Sequence, residues 1–374
     1  MERAGALMMR PRAHLFVSIL AATLGISGQG WAQEVATTAP AAMVPATDLV
    51  DVVGPSVGLG PVQGPGGFLA PPGSGSGGPG AGANQPRVTM SLFDTALDSL
   101  TGDVYAPGKW RPLSMSTFFT EGWDESWAGG PAGTSGLTPR HGWLGAFDGV
   151  FYRLWFSTFS YQNQLRTPYG GNRYQGNYTI FLPLSRRFEV ALDMPFVVSN
   201  GTMNPGQGYT SQVGDLTVYP RVLLSETAGL TQSFSLGIRT PTGSAAVGQG
   251  HMELLPRYEF WSNPVGAWVM RGSLGTDSPL NQKGQAGVTA LAGGLALGRY
   301  FTPHDALFGD LVFYLNCNFR SPFEGASTNT FVGVGPGTRF HLGDNWFFLG
   351  YWEVPVAAPV ANTYQAQFAI MKVW

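Results

Sequence analysis

The chain has 374 residues, of which 12% are charged, 13% are aromatic and 53 are glycine, with a formal net charge of -2. So few helix-forming charged residues and so many glycines and aromatics argue against a soluble enzyme with a large aliphatic core and favour short strands. No basic cluster is present, which excludes nucleic acid as a partner, and the single cysteine, Cys317, excludes a disulfide framework, a cysteine-based metal site and lipid attachment near the N-terminus.

Arg3, Arg10 and Arg12 precede an apolar run over 15–26, and Gly30-Trp31-Ala32 places small residues at a cleavage position. Residues 1–32 therefore read as a secretory signal peptide cut after Ala32, the apolar run being too short to span a bilayer. Residues 33–88 are rich in Pro, Gly, Ala and Ser, including Gly73-Ser74-Gly75-Ser76-Gly77-Gly78, and read as a disordered periplasmic tether. Residues 89–145 form a pre-barrel segment. Within it Met90, Leu92, Phe93, Ala96, Leu97 and Leu100 recur at helical spacing and predict a short amphipathic helix able to dock on the barrel, whereas 110–143 has no period.

No later run is long enough for a membrane helix, so an exported chain this aromatic is either soluble or spans as a barrel. From about residue 146 the hydrophobic period becomes two and stays so through Trp374. Phe188, Val190, Leu192, Met194 and Phe196 alternate with Glu189, Ala191, Asp193 and Pro195, which puts the large apolar groups on one face and both carboxylates on the other. Similar alternation sets Leu216, Val218 and Val222 against Asp215, Thr217 and Arg221, sets Phe234, Leu236 and Ile238 against Arg239, and sets Leu254, Tyr258 and Phe260 against Glu253, Arg257 and Glu259. Segments near 146–161, 173–184, 187–198, 213–225, 231–241, 248–261, 265–277, 285–300, 309–320, 327–341, 344–354 and 361–374 each approach the length of a tilted membrane strand. The predicted fold is an all-β, antiparallel transmembrane β-barrel of about 12 strands over 146–374, with brief turns on the periplasmic side and long loops outside.

The soluble alternative, a secreted β-sandwich, would turn its apolar face to a core and its polar face to water. The polar face here is too varied for that, mixing Arg221, Arg239, Arg257, Arg339, Glu189, Glu253, Glu259, Asp193 and Asp215 with tyrosines and glycines, as a crowded barrel interior would. Aromatic residues near strand ends, Tyr258, Phe260 and Trp261 or Tyr300 and Phe301, read as an interfacial girdle.

Several strings resemble the bacterial outer-membrane transporter-like family described as "putative MetA-pathway of phenol degradation". They are Gly214-Asp215-Leu216-Thr217, Ser235-Leu236-Gly237-Ile238-Arg239-Thr240-Pro241-Thr242-Gly243-Ser244, Gly335-Pro336-Gly337-Thr338-Arg339-Phe340, Leu342-Gly343-Asp344-Asn345-Trp346 and Glu353-Val354-Pro355-Val356. The resemblance covers 146–374 and implies an exported barrel with a transport role; the long tether and Lys372 in the last strand depart from the pattern. Tyr364, Ala366, Phe368, Ile370 and Trp374 resemble the terminal signal read by the barrel-assembly machinery.

The expected function is a narrow outer-membrane channel or transporter for small aromatic or polar solutes, with Glu189, Asp193, Asp215, Arg221, Arg239, Glu253, Arg257, Glu259, Arg339 and Glu353 lining the lumen as transverse ion pairs. The alternative is an outer-membrane anchor with a plugged lumen and a periplasmic arm. An enzymatic reading has only His341, beside Arg339 and near Glu353, to rest on and no nucleophile motif; His251 next to Glu253 offers only two metal ligands. No catalytic residue, metal or cofactor is expected. The expected partners are outer-membrane lipid, the assembly machinery and a small solute.

Overall fold

The structure, a computed structural model, describes residues 90–374 apart from 107, 132–138, 141, 147–148, 164–171, 201–209, 245–247, 281–288, 324–329 and 358–361. The signal-peptide and tether readings lie outside the described residues. A helix, α1 (Leu92–Thr101), comes first. Ser91 caps it by accepting the Asp94 amide at 3.1 Å, and the Gly102 amide closes it onto Asp98 O at 2.8 Å. A single 3-10 turn, Met115–Thr117, follows.

Thirteen strands then run in chain order: β1 (Leu154–Asn163), β2 (Arg173–Pro183), β3 (Phe188–Asn200), β4 (Thr210–Gln212), β5 (Thr217–Glu226), β6 (Leu230–Arg239), β7 (Glu253–Val265), β8 (Trp268–Pro279), β9 (Ala290–Tyr300), β10 (Gly309–Pro322), β11 (Phe331–Gly343), β12 (Trp346–Ala357) and β13 (Tyr364–Val373). All neighbours are antiparallel. β4 and β5 share the same partner: Ser211 lies opposite Ser199 on the upper part of β3, while Val222 to Thr217 lie opposite Phe188 to Asp193 below it. They are two halves of one strand interrupted around Gly214 and Asp215, so the wall has twelve staves.

The sheet closes on itself. β1 pairs with β2 on one side and with β13 on the other, Leu154 opposite Val373 and Tyr161 opposite Ala366. Closure gives β1 and β13 partners on both sides, where an open sheet would have edge strands to protect. Short connections gather at one rim, such as Asp344 and Asn345 between β11 and β12, both with positive φ, as a two-residue hairpin favours. Long connections gather at the other. The twelve segments anticipated by alternation all contain strands, with one displacement: the first begins at Leu154 instead of near 146, because Trp143, Leu144, Ala146, Val150 and Tyr152 pack among the inward-facing side chains instead of joining the wall.

Side chains follow the inverse of soluble logic. Phe159, Phe234, Phe313, Leu315, Trp352, Phe368 and Ile370 are exposed on the outer wall, while Glu189, Arg221, Glu259, Arg271 and Arg339 are buried inside. On the outer face at the short-turn end, Trp155 packs edge-on against Trp346 at 5.5 Å, and Lys372 extends over the Trp346 ring at 5.1 Å while donating to Asp344 O. That arrangement explains how Lys372 sits on an apolar face: its stem lies along the belt and its ammonium reaches the rim. At the long-loop end Tyr161, Tyr174, Tyr364 and Trp352 form a second aromatic group, Trp352 stacking on Tyr364 at 4.4 Å. Two aromatic bands separated by aliphatic and phenylalanine surface match the two polar boundaries of a bilayer.

Two residues expected in the girdle belong elsewhere. Trp261 and Tyr300 are buried in the lumen, while their neighbours Phe260 and Phe301 face outward. Trp261 lies two residues beyond Glu259 and therefore shares its face, and alternation outweighs position near a strand end.

Candidate functional site in the barrel lumen

The lumen has two tiers. Toward the short-turn rim the inner wall is apolar, with Leu154, Phe156, Phe181, Ala191, Val269, Ala296, Val312, Phe347, Leu349, Ala369, Met371 and Val373 all buried. These residues pack on the chain that precedes β1. Trp143 stacks on Tyr314 at 4.7 Å with the planes 8° apart, and the Arg271 guanidinium lies 4.4 Å from the centre of the Trp143 indole. Gly298 of β9 makes the space, since a Cβ there would stand 2.6 Å from the indole.

Hydrogen bonds carry the segment from wall to wall. Tyr314 Oη donates to Leu144 O at 2.9 Å and Asn316 Nδ2 donates to Gly145 O, fixing the chain to β10. Gly149 lies against β6 and β7, where a Cβ would meet Glu259 O at 2.8 Å and Ser233 N at 3.1 Å. Arg221 then donates to Val150 O at 3.1 Å and the Tyr152 amide donates to Glu189, which brings the chain to β3 and β5 before it turns into β1. Arg153 ends the crossing: its Nε donates to Trp374 O at 2.6 Å and its Nη1 to Gly102 O at 2.9 Å. Below this plug, Arg140 pairs with Glu226 and lies 4.8 Å over Trp261, while Arg186 reaches the same Glu226 at 3.3 Å.

Among the residues anticipated in the lumen, Arg221, Glu189 and Glu259 come together most tightly. Arg221 bonds Glu189 on the adjacent strand and Glu259, two strands away, at 3.0 Å, with Ser235 donating to Glu259 at 2.8 Å. Arg239 pairs with Glu253 directly opposite it in register. Arg257 shares Asp277 with Arg320, both at 2.9 Å. Ion pairing between neighbouring strands is thus the organising contact of this side of the lumen.

Four anticipated residues take other roles, Glu353 in the upper tier and three more around the ring. Asp193 accepts from Thr179 at 2.7 Å and from Asn177, with no arginine at its oxygens among these bonds. Asp215 stands at the interruption between β4 and β5 and accepts the amides of Gly243 at 2.7 Å and Gln249 at 2.6 Å, holding the connection between β6 and β7. Arg339 is fully buried, and among the described residues it meets no carboxylate: its Nη2 donates to Asp310 O at 3.2 Å and its guanidinium lies over Tyr300 and Phe347 at 5.3 Å each.

The upper tier, toward the long loops, is polar. Glu353 accepts from Tyr351 Oη at 2.6 Å and Asn318 at 2.8 Å. Beside it runs a strip of amides and one arginine across β13, β1 and β2: Gln365 accepts from Gln162 at 3.1 Å, and Arg173 donates to Gln175 at 3.1 Å, which donates to Asn177 at 2.7 Å. Charge pairs on β6, β7, β8 and β10 face this strip around the ring.

His341 stacks on His304 at 4.3 Å and packs on Phe347 at 4.9 Å at the short-turn rim. His304 in turn bonds Asp310 at 2.8 Å, and that hydrogen bond raises the imidazole above its ordinary value against the opposing effect of burial. His251 bonds Gln249 O at 2.9 Å. Neither histidine constellation has the nucleophile and base in hydrogen-bond reach that acyl or phosphoryl chemistry needs. Phe368, Ile370 and Trp374 are all exposed on the outer face of the seam between β13 and β1, where Phe159 stacks on Phe368 at 5.3 Å.

Sequence reasoning passed over the plug residues Arg140, Trp143, Leu144, Val150, Tyr152 and Arg153. It also passed over Arg173, Arg271, Asp277 and Glu226 on the wall, for which strand alternation was a usable signal.

A family model described as "putative MetA-pathway of phenol degradation" matches residues 128–368. The chain belongs to this family. The match begins upstream of β1 and so takes in the lumen-crossing residues together with the wall. No curated protein matches the chain. Among solved structures, similarity is found to an outer membrane channel from Pseudomonas putida F1, at 12% identity and TM-score 0.46 over 61% of this chain and 98% of that one. The beta domain of the Bordetella autotransporter BrkA matches at 15% identity and TM-score 0.37 over 59% of this chain and 98% of its own. A bacterial polysaccharide outer membrane secretin matches at 7% identity and TM-score 0.35 over 60% and 99%.

Proposed function

We propose that this protein is a bacterial outer-membrane channel for small polar solutes, aromatic ones among them, narrowed at its short-turn end by its own Trp143, Leu144, Val150 and Tyr152. The observation that carries the reading is the polar upper tier, where Glu353, Gln365, Gln162, Arg173, Gln175, Asn177 and Asp193 line the inside of a wall whose outside is apolar. Their hydrogen bonds to one another offset the cost of taking them out of water, and apolar side chains would fill the lumen of a rod-like anchor without needing such a network. Side chains of both charges and many amides offer hydrogen bonds to a passing solute at close quarters.

In this reading the signal peptide is cut after Ala32, short turns and the pre-barrel segment lie in the periplasm, and long loops face outward. Phe368, Ile370 and Trp374 present the apolar strand that assembly machinery engages. No reaction, metal or cofactor is assigned. The test is single-channel recording of folded, heat-modifiable protein in planar bilayers. Small conductance steps that respond to polar solutes support the channel, and their absence in both the natural chain and a plug-loosened Trp143→Ala variant removes it.

The anchor reading is favoured by one feature, the dense packing of Trp143 between Tyr314, Gly298 and Arg271. Deleting residues 33–88 separates the two: changed envelope attachment with unchanged flux supports the anchor.

A further inference from the structure

α1 is amphipathic, yet it is docked with the wrong face inward for a water-soluble helix. Its buried residues are Thr95 and Ser99. Thr95 donates to Asp124 O at 3.3 Å, and Ser99 Oγ accepts the Trp127 amide at 2.8 Å while donating to Thr95 O. Polar groups thus fasten the helix to the pre-barrel segment. Phe93, 75% exposed, and Leu97, 50% exposed, lie on the other side, and Leu92 at the N-terminal end is 75% exposed. A helix of this pattern beside an aqueous phase would normally turn the leucines and phenylalanine to the core.

Its position supplies the reason. The helix contacts β2 and ends at the seam where the barrel closes. Arg153 is the joint: one guanidinium donates to Gly102 O at 2.9 Å behind the helix and to Trp374 O at 2.6 Å at the end of β13. The same guanidinium lies 5.4 Å over the outward-facing Trp374 ring. Trp374, Trp155, Trp346 and Lys372 make up the aromatic and basic band of the outer wall at this rim. The C-terminal end of α1 therefore sits within one side chain of the barrel's own lipid-facing band, and a 10-residue helix that also contacts β2 is only about 15 Å long, which keeps Leu97 and Phe93 within that distance of the boundary. At the next turn of chain Met115 and Phe119 are also exposed, 50% and 87%. The polar side of the helix region carries Lys109, which bonds Asp98 at 2.8 Å and holds that carboxyl below the usual range.

We infer that α1 is an interfacial helix: Leu92, Phe93 and Leu97 insert into the boundary between headgroups and acyl chains of the phospholipid leaflet at the short-turn rim. The occupant of the exposed face is lipid. Burial of these side chains extends the membrane contact of the barrel beyond its strands and ties the segment that feeds the lumen to the bilayer surface. The inference does not depend on whether the lumen conducts.

The test places an environment-sensitive fluorophore on single cysteines in the full, reconstituted protein, in a Cys317→Ser background. Leu97→Cys and Phe93→Cys report the apolar face, and Asp94→Cys reports the solvent side of the same helix. In phosphatidylethanolamine and phosphatidylglycerol vesicles, the labels at 93 and 97 are expected to be blue-shifted and quenched by lipids spin-labelled near the top of the acyl chain. Their quenching by aqueous iodide should be several-fold weaker than at 94. Strong iodide quenching at 93 and 97 with none from labelled lipid overturns the proposal, placing the face in water. Protection from both quenchers overturns it as well, because a protein surface, either a second copy or residues 33–88 of this chain, then covers the face. Leu97→Glu guards against an effect of the label: heat-modifiable mobility should persist while protease cleavage before β1 in vesicles increases, and unchanged cleavage counts against lipid seating.

Discussion

The two tiers of the lumen are built from the same strands and obey opposite rules. Near the short turns, β1, β2, β12 and β13 point Leu154, Phe156, Phe181, Phe347, Leu349 and Met371 inward around an inserted chain, and the result resembles the core of a soluble protein. Near the long loops the same strands point Gln162, Gln175, Glu353, Gln365 and Gln367 inward. One strand therefore changes the character of its inner face within about 10 residues, roughly the span of a membrane strand. A barrel's interior is polar by default only where water fills it; where peptide fills it, apolar packing returns.

The sharpest way to break this contrast is to attack the charge cluster at its boundary. Arg221→Met removes the cation shared by Glu189 and Glu259 and the donor to Val150 O. Loss of one member of a buried charge network is expected to cost about 3–5 kcal/mol, read as a lower urea midpoint of the folded, heat-modifiable form in vesicles. An unchanged midpoint would mean that this tier is not held by the cluster.

Trp143→Ala comes next. Emptying the space between Tyr314 and Gly298 should cost about 3–4 kcal/mol, at the lower end of large-to-small substitutions if the loosened segment lets water in. Larger conductance steps than those of the natural chain should accompany it. A stable variant with no change in flux would show that the lower tier seals by other contacts.

Glu353→Gln tests the upper tier, where Tyr351 and Asn318 donate to the carboxylate at 2.6 Å and 2.8 Å. Because the amide keeps the size and one acceptor, stability should change by about 1 kcal/mol or less. Reversal potentials in a salt gradient should nevertheless shift away from cations. No shift would place Glu353 outside the conducting path.

The smallest effect concerns the rim. His304 has its proton affinity raised chiefly by the hydrogen bond to Asp310. A group raised above its unfolded value contributes stability fully below that value and loses it as pH rises through the folded one. The turn between β9 and β10 should therefore exchange its amides faster once pH passes His304's raised value, and Asp310→Asn should abolish the step.

How far the sequence reveals this molecule follows the same division. Strand alternation marks a wall because side-chain direction in an extended chain has period two whatever fills the interior, and so Glu189, Arg221, Arg239, Glu253, Arg257 and Glu259 could be grouped before their contacts were known. It also places Trp261 on the face of Glu259, a signal that their position near a strand end obscured for Trp261 and Tyr300 alike. The plug has no such period. Leu144, Gly145, Val150 and Tyr152 are bonded to β10, β5 and β3 through backbone carbonyls and amides, which every residue type possesses. Nothing local distinguishes such a segment from ordinary coil. That Asp193 and Glu353 accept from neutral side chains and not from an arginine was hidden for a related reason, since partner choice depends on distances around the ring.

Arg153 gives the joint between plug and wall a consequence for assembly. It ends the lumen-crossing segment, precedes β1 by one residue and holds Trp374 O, so one side chain adds to the ten register pairs that already align the last strand with β1. Filling the barrel and sealing it therefore share a contact, and an insert displaced from its seat would weaken the seam at the short-turn rim.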